Sequence, residues 1–251
     1  IDINCYPVSE IPEMTRRTRK VGLGVMGLAD AFIELEIPYE SGEALECADR
    51  VMGYIQREAH DVSRELGERL GSFPAIDMSV YQGAMRNATV TTVAPTGSLH
   101  IIAGTSSGIE PVFSLAFQRQ INGKLFSFLH PAVGRNLCNQ SGKNGIIDRV
   151  TRTGSVQDLT VPESTKEILK TASEISPEFH VKMQATVQKY VDNAVSKTVN
   201  VPETATVDDV VRIFSCARAL DCKGITIYRY NSREHQVISR GCETCRVDTP
   251  L

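Results

Sequence analysis

Apolar residues fall at helical spacing between residues 10 and 35, where Val21, Val25, Leu28, Ala29, Phe32 and Leu35 punctuate EIPEMTRRTRKVGLGVMGLADAFIEL. The pattern predicts one amphipathic helix whose basic first half is solvated or lines a polar cleft. A second, longer helix is expected from an N-cap at Ser41 to about Leu70, with Leu45, Val51, Met52, Ile55, Ala59, Val62 and Leu66 as its apolar set. Gly71 and Pro74 close it. The β-branched run ATVTTVA over Ala88–Ala94 reads as a buried strand. A short helix is expected over Ser98–Ala103, and the alternation in PVFSLAFQ predicts a strand over Pro111–Gln118. Residues 140–160 are polar and turn-rich and read as a connector. Loose helical periodicity covers Pro177–Val195, a further helix runs from Thr206 to Leu220, and Asp221–Tyr230 holds a short strand. Helices alternating with short β-branched strands define an α/β class with a parallel sheet or barrel.

Composition narrows the picture. The 251 residues are 41% hydrophobic and 23% charged, enough for one large domain or two small ones with a self-sufficient core. A formal net charge of −3, without single-sign blocks, argues against a nucleic-acid coat or a polybasic membrane anchor. No apolar run reaches the length of a membrane span, and the first residues lack the basic start and apolar middle of a signal peptide. Position 1 is Ile rather than Met, consistent with a processed product or a piece of a longer protein. Of seven cysteines, Cys5, Cys47, Cys138, Cys216 and Cys222 have no framework spacing, which suits a reducing cytoplasmic compartment.

Three short motifs carry candidate chemistry. In TVTTVAPTGSLHIIAGTSSGIEP, over Thr89–Pro111, the strand ends in Pro-Thr-Gly-Ser. A helix starting there would offer unpaired N–H groups and the positive end of its dipole to an anion, with hydroxyls from Thr96 and Ser98. The same residues also suit a plain strand–helix turn capped by Ser98. Gly22-Leu-Gly24-Val-Met-Gly27 has the spacing of a dinucleotide fingerprint, yet it follows MTRRTRK and no preceding strand is expected. Glycines that pack a helix closely against a neighbour are the better reading. Cys242 and Cys245 form a CxxC that could close a disulfide, exchange with a partner thiol, or supply half a zinc site beside His235. Two exposed cysteines in a frayed tail are the bland alternative. His60, His100, His130 and His180 lack a shared metal-ligand spacing and read as structural histidines. Glu110 is either a buried acid paired with a base or a loop carboxylate, and core packing is the default for Tyr228 and Tyr230.

Four segments then stand in a recognisable order: RTRKVGLGVMGLAD at 17–30, NATVTTVAPTGSLHIIAGTSSGIEPVFSLAF at 87–117, DNAVSKTVNVP at 192–202 and CKGITIYRYNSRE at 222–234. Together they resemble the large catalytic chain of ribonucleotide reductase. The adenosylcobalamin-dependent branch is the most similar, since its phosphate loop typically reads as Ala94–Ser98 do here. The resemblance covers essentially residues 1–235 and implies the second half of a ten-stranded α/β barrel, followed by a flexible tail at 236–251. It implies a substrate diphosphate cradled by Pro95, Thr96, Gly97, Ser98 and Leu99, and a swinging dithiol at Cys242 and Cys245.

In that family a thiyl radical abstracts the ribose 3′-hydrogen, water leaves from C2′, and a dithiol supplies two electrons. The radical cysteine is expected upstream of Ile1, so no catalytic residue and no metal ligand is assigned in this chain. The implied partners are a ribonucleoside diphosphate, the N-terminal part of the reductase and a thioredoxin-like reductant, within an assembly that admits a homo-oligomer. Two other classes stay open at this point. One is a non-catalytic regulatory or scaffold paralogue; the other is a nicotinamide-binding dehydrogenase using Gly22–Gly27.

Overall fold

The computed structural model describes residues 1–121, 124–137, 143–232 and 238–241. Nine α-helices are seen among them: α1 (Glu10–Thr18), α2 (Leu28–Glu34), α3 (Gly42–Leu70), α4 (Leu99–Ala103), α5 (Pro131–Leu137), α6 (Lys143–Thr153), α7 (Glu163–Ile168), α8 (Pro177–Gln188) and α9 (Val207–Ala219). The strands are β1 (Ala116–Ile121), β2 (Lys124–Leu129), β3 (Thr198–Val201), β4 (Thr226–Arg229) and β5 (Ile238–Arg240).

The site-bearing layer is a run of parallel extended segments. Residues 21–24 lie beside 89–93: the Val21 N–H donates to the Thr89 carbonyl at 3.0 Å, and the Thr92 N–H donates to Leu23 at 2.9 Å. On its other side 89–93 meets 193–196, where the Asn193 N–H donates to Thr91 and the Ser196 N–H to Val93. The chain from 196 continues into β3, which pairs in parallel with β4 from Thr198↔Thr226 to Val201↔Arg229. The described residues therefore form an open parallel run, part of a barrel wall, and do not close a barrel. A separate antiparallel sheet, ordered β2-β1-β5, flanks it.

Helix α8 explains its own weak periodicity. His180, Val181, Met183, Gln184 and Ala185 through Gln188 are all buried, so it has no polar face to alternate with an apolar one. The larger core gathers Phe32, Met52, Leu115, Leu137, Met183 and Val187; a smaller one joins Val181, Val199, Val201, Ile213 and Ala217 beneath α9. Each fully buried large aliphatic side chain contributes roughly 1.5–3 kcal/mol relative to exposure.

Several expectations are corrected. The single helix over 10–35 is two helices separated by the extended 20–24 stretch, with Arg19 left-handed (φ 47°) at the break. Backbone pairing with 89–92 outweighs local periodicity there. Glycine is needed in this stretch: a Cβ on Gly24 would lie 2.3 Å from the Thr92 carbonyl oxygen, and one on Gly22 2.4 Å from Thr92 Cγ2. These glycines thus pack strand against strand rather than helix against neighbour.

Helix α3 is capped as expected, the Ala44 N–H donating to Ser41 Oγ at 3.0 Å. Its buried face, however, is Ala44, Ala48, Met52, Ser63 and Gly67, while Val51 and Val62 are exposed. Small residues win because backbone comes close: a Cβ on Gly67 would sit 2.6 Å from the Met85 nitrogen. The connector expected over 140–160 contains α6, the strand expected over 111–118 starts only at Ala116, and α8 ends at Gln188. β3 has no counterpart among the expected elements. Capping does mark α9, where Thr206 and Asp209 cap each other reciprocally.

Candidate functional site

Pro95, Thr96, Gly97, Ser98 and Leu99 leave the carboxyl end of the 89–93 segment, in the middle of the parallel run. Open α/β sheets bind ligands at that edge. Thr96 is left-handed (φ 49°), an unusual state for a β-branched residue. Ser98 precedes α4 without making a side-chain cap bond, and both Ser98 and Leu99 are exposed. A Cβ added at Gly97 would meet nothing within 4 Å beyond its own chain neighbours, so packing does not demand glycine there.

A second loop, residues 104–110, braces the first. Ser107 Oγ lies 2.6 Å from the Pro95 carbonyl oxygen and 2.9 Å from Thr96 Oγ1. Ser106 is fixed in turn by α2: its N–H donates to the Asp30 carboxylate, and its carbonyl accepts from the Gly27 N–H at 2.9 Å. His130 Nε2 reaches the other Asp30 oxygen at 3.0 Å. Burial pushes the Asp30 pKa up, but the bonds from His130 and Ser106 outweigh it and hold the carboxyl below its ordinary range. Further along, the buried Tyr39 hydroxyl donates to the Ile109 carbonyl at 2.6 Å.

The loop ends in a buried charged cluster. Lys197 Nζ, fully buried, contacts Glu110 Oε2 at 2.6 Å, the Thr198 carbonyl at 2.7 Å and His180 Nδ1 at 2.7 Å. Glu110 Oε1 accepts from the Thr198 N–H, and His180 Nε2 faces the Ala172 carbonyl at 2.9 Å. Desolvation and the neighbouring Lys197 cation drive the His180 pKa down to about 3. Desolvation also lowers Lys197, partly offset by Glu110.

Glu110 is therefore the acid paired with a base, and His130 and His180 are hydrogen-bonded structural histidines, as the sequence suggests. Asp30, Ser107 and Lys197 support these loops and are missed by sequence reasoning. The hydroxyl-rich GTSSG run was the available signal for Ser107, whereas nothing local marks Asp30 or Lys197. Tyr230 is exposed and Tyr228 only half-buried, so neither is a core residue. The CxxC at Cys242 and Cys245 lies outside the described residues, although β5 before it pairs with β1 and the Gly241 N–H donates to Ala116.

A parallel α/β barrel wall with a loop site at its carboxyl edge defines the class, and comparison with known proteins defines the family. A family model described as the barrel domain of ribonucleotide reductase matches residues 1–85 and 76–228. The chain belongs to the ribonucleotide reductase family. It is 48% identical over 244 residues to the vitamin B12-dependent ribonucleoside-diphosphate reductase of Mycobacterium tuberculosis strain H37Rv, covering 95% of this chain and 34% of that one. With the protein of the same description from Thermoplasma acidophilum it shares 46% identity over 248 residues, covering 96% and 32%. Among solved structures, the Actinobacillus ureae class Id ribonucleotide reductase alpha subunit superposes with a TM-score of 0.74 at 25% identity, over 87% of this chain and 40% of that chain. The chain thus spans about a third of the length of these curated relatives. The pairing of 21–24 with 89–92, within this family, argues against a dinucleotide fold at Gly22–Gly27.

Proposed function

We propose that this chain is part of an adenosylcobalamin-dependent ribonucleoside-diphosphate reductase, in which Pro95–Leu99 hold the substrate diphosphate. The observation that carries the reading is the placement of this loop at the carboxyl edge of the central parallel segment, with glycine where packing does not require it. First-turn N–H groups of a helix have no intrahelical partner, so those of Ser98 and Leu99 suit phosphate oxygens. Held by its diphosphate, the ribose is presented to the radical-bearing cysteine on the part of the enzyme upstream of this chain. Such positioning replaces a bimolecular encounter by a high effective molarity.

The relatives' names state dependence on vitamin B12; the cofactor's chemistry in the complete enzyme is to generate the radical. A cavity of about 550 Å³ bounded by Phe214, Arg218 and Asp221–Ile225 opens at the amino end of β4, opposite the edge that carries the loop. That cavity therefore stands apart from the proposed substrate loop. Cys242 and Cys245 are assigned as the dithiol that re-reduces the active-site disulfide and passes its oxidation to a thioredoxin-like reductant. The unspaced cysteines agree with a cytoplasmic enzyme, and a homo-oligomer is the assembly in which we place it. Among the described residues no helix is long and apolar enough to cross a membrane.

The test is assembly of activity. This chain alone, given nucleotide, adenosylcobalamin and dithiol, is expected to be inactive; combined with the N-terminal part of a reductase it restores turnover, and Ser98→Ala weakens substrate binding. Restoration that is indifferent to loop substitutions would favour a scaffold role instead.

A further inference from the structure

The hydroxyls of Thr96 and Ser107 have only one hydrogen each, and counting those hydrogens settles what each can offer a ligand. Ser107 Oγ sits 2.6 Å from the Pro95 carbonyl oxygen, which can only accept, so the Ser107 hydrogen goes there. The 2.9 Å contact between Ser107 Oγ and Thr96 Oγ1 then needs a hydrogen from Thr96. With that hydrogen committed, Thr96 Oγ1 has only lone pairs left for any further partner, and lone pairs repel an anion. Thr96 is also left-handed, a conformation that a β-branched residue keeps only where its surroundings enforce it. Two contacts hold it: the His100 N–H donates to the Thr96 carbonyl at 3.1 Å, and Ser107, next to a Ser106 bonded to Gly27 and Asp30 at the start of α2, meets its hydroxyl.

We infer that Ser107 is a positioning residue for the anion loop: it straps Thr96 into the left-handed state and takes its hydroxyl hydrogen. Thr96 is then not a phosphate donor, and the donors are the backbone N–H groups at Ser98 and Leu99 together with the Ser98 hydroxyl. The inference rests on the reading of Pro95–Leu99 as the diphosphate site. It changes which side chains carry specificity there, because Thr96 serves through its conformation and Ser98 through direct contact.

The test is steady-state kinetics on the complete reductase containing this chain, with a ribonucleoside diphosphate varied at saturating dithiol and adenosylcobalamin. Ser107→Ala and Thr96→Val are each expected to raise KM about five- to tenfold with kcat within about threefold, the loss of one neutral hydrogen bond. The double variant is expected to be no worse than either single one, because both remove the same bond. Thr96→Ser and Ser107→Thr keep the hydroxyls and are expected to stay within about twofold of the parent. If Thr96→Val raises KM while Ser107→Ala does not, Thr96 donates directly to the ligand and the inference is overturned, although the diphosphate site stands. If these variants and Ser98→Ala all leave KM unchanged, the diphosphate site itself is wrong.

Discussion

Lys197 Nζ donates a hydrogen bond to Nδ1 of His180 at 2.7 Å, deep in the core between α8 and β3. Around that nitrogen all three partners accept: a Glu110 carboxylate oxygen, the Thr198 carbonyl and the imidazole. Lys197 is therefore an ammonium with all three hydrogens placed, and His180 is neutral with its hydrogen on Nε2, donated to Ala172. This cluster ties the end of the bracing loop to β3, so its protonation bears on the site.

Keeping His180 neutral makes folding stability depend on pH. Its pKa falls from 6.5 to about 3 on folding, so between those values the unfolded chain binds the extra proton. The contribution is complete above pH 6.5 and is lost as pH drops toward 3. Urea titrations at pH 7 and pH 5 should show lower stability at pH 5, by roughly 1–2 kcal/mol from this residue. His180→Gln should flatten that part of the profile; an unchanged slope would contradict the assignment.

Breaking the ion pair from one side leaves a half-buried carboxylate without its cation. Lys197→Met strands Glu110 and should destabilise the chain by about 3–5 kcal/mol. Pairing that change with Glu110→Gln should recover a large part of the loss, read as the denaturant midpoint.

Asp30 acts at the other end of the bracing loop. Its carboxyl lies below the ordinary range because bonds from His130 and Ser106 overcome burial, so its contribution is present above the unfolded value and is lost as pH falls through the folded one. Stability curves of the parent and of Asp30→Asn should therefore separate at neutral pH and converge in acid. Curves that stay parallel throughout would show that the carboxylate does not brace the loop.

Glycines 24 and 97 make opposite demands. Gly24→Ala drives a Cβ to 2.3 Å from a backbone oxygen and should cost at least about 2 kcal/mol by prying apart the parallel segments. Gly97→Ala has open space and should be neutral within about 1 kcal/mol. Thermal unfolding of the two variants side by side checks both.

How much of this was legible in the sequence depended on how local the signal was. The caps at Ser41 and Thr206 lie within three residues of their partners, and both helix starts could be read. The break at Arg19–Gly27 could not, because the force that extends those residues is hydrogen bonding to Thr89–Thr92, some seventy positions away. α3 misled for a related reason: its buried face is set by backbone approaching Gly67 and Ser63, and periodicity registers only the large apolar residues. The loop proposed to hold the anion was visible as a motif, and family resemblance gave it meaning. Its distant supports were not visible, since Asp30, Lys197 and His180 are far apart in the chain and unremarkable in type. Glu110 was the exception, a carboxylate beside a proline that did prove to have a basic partner.

The central claim is that Pro95–Leu99 hold the substrate's diphosphate, and Gly97→Asp tests it most directly. The space above Gly97 is open, so the fold should tolerate the side chain, whereas a carboxylate there would face the phosphate charge. In the complete reductase containing this chain, the account predicts an unchanged thermal midpoint and a KM for ribonucleoside diphosphate raised at least about tenfold. A stable variant with the parent KM would contradict it.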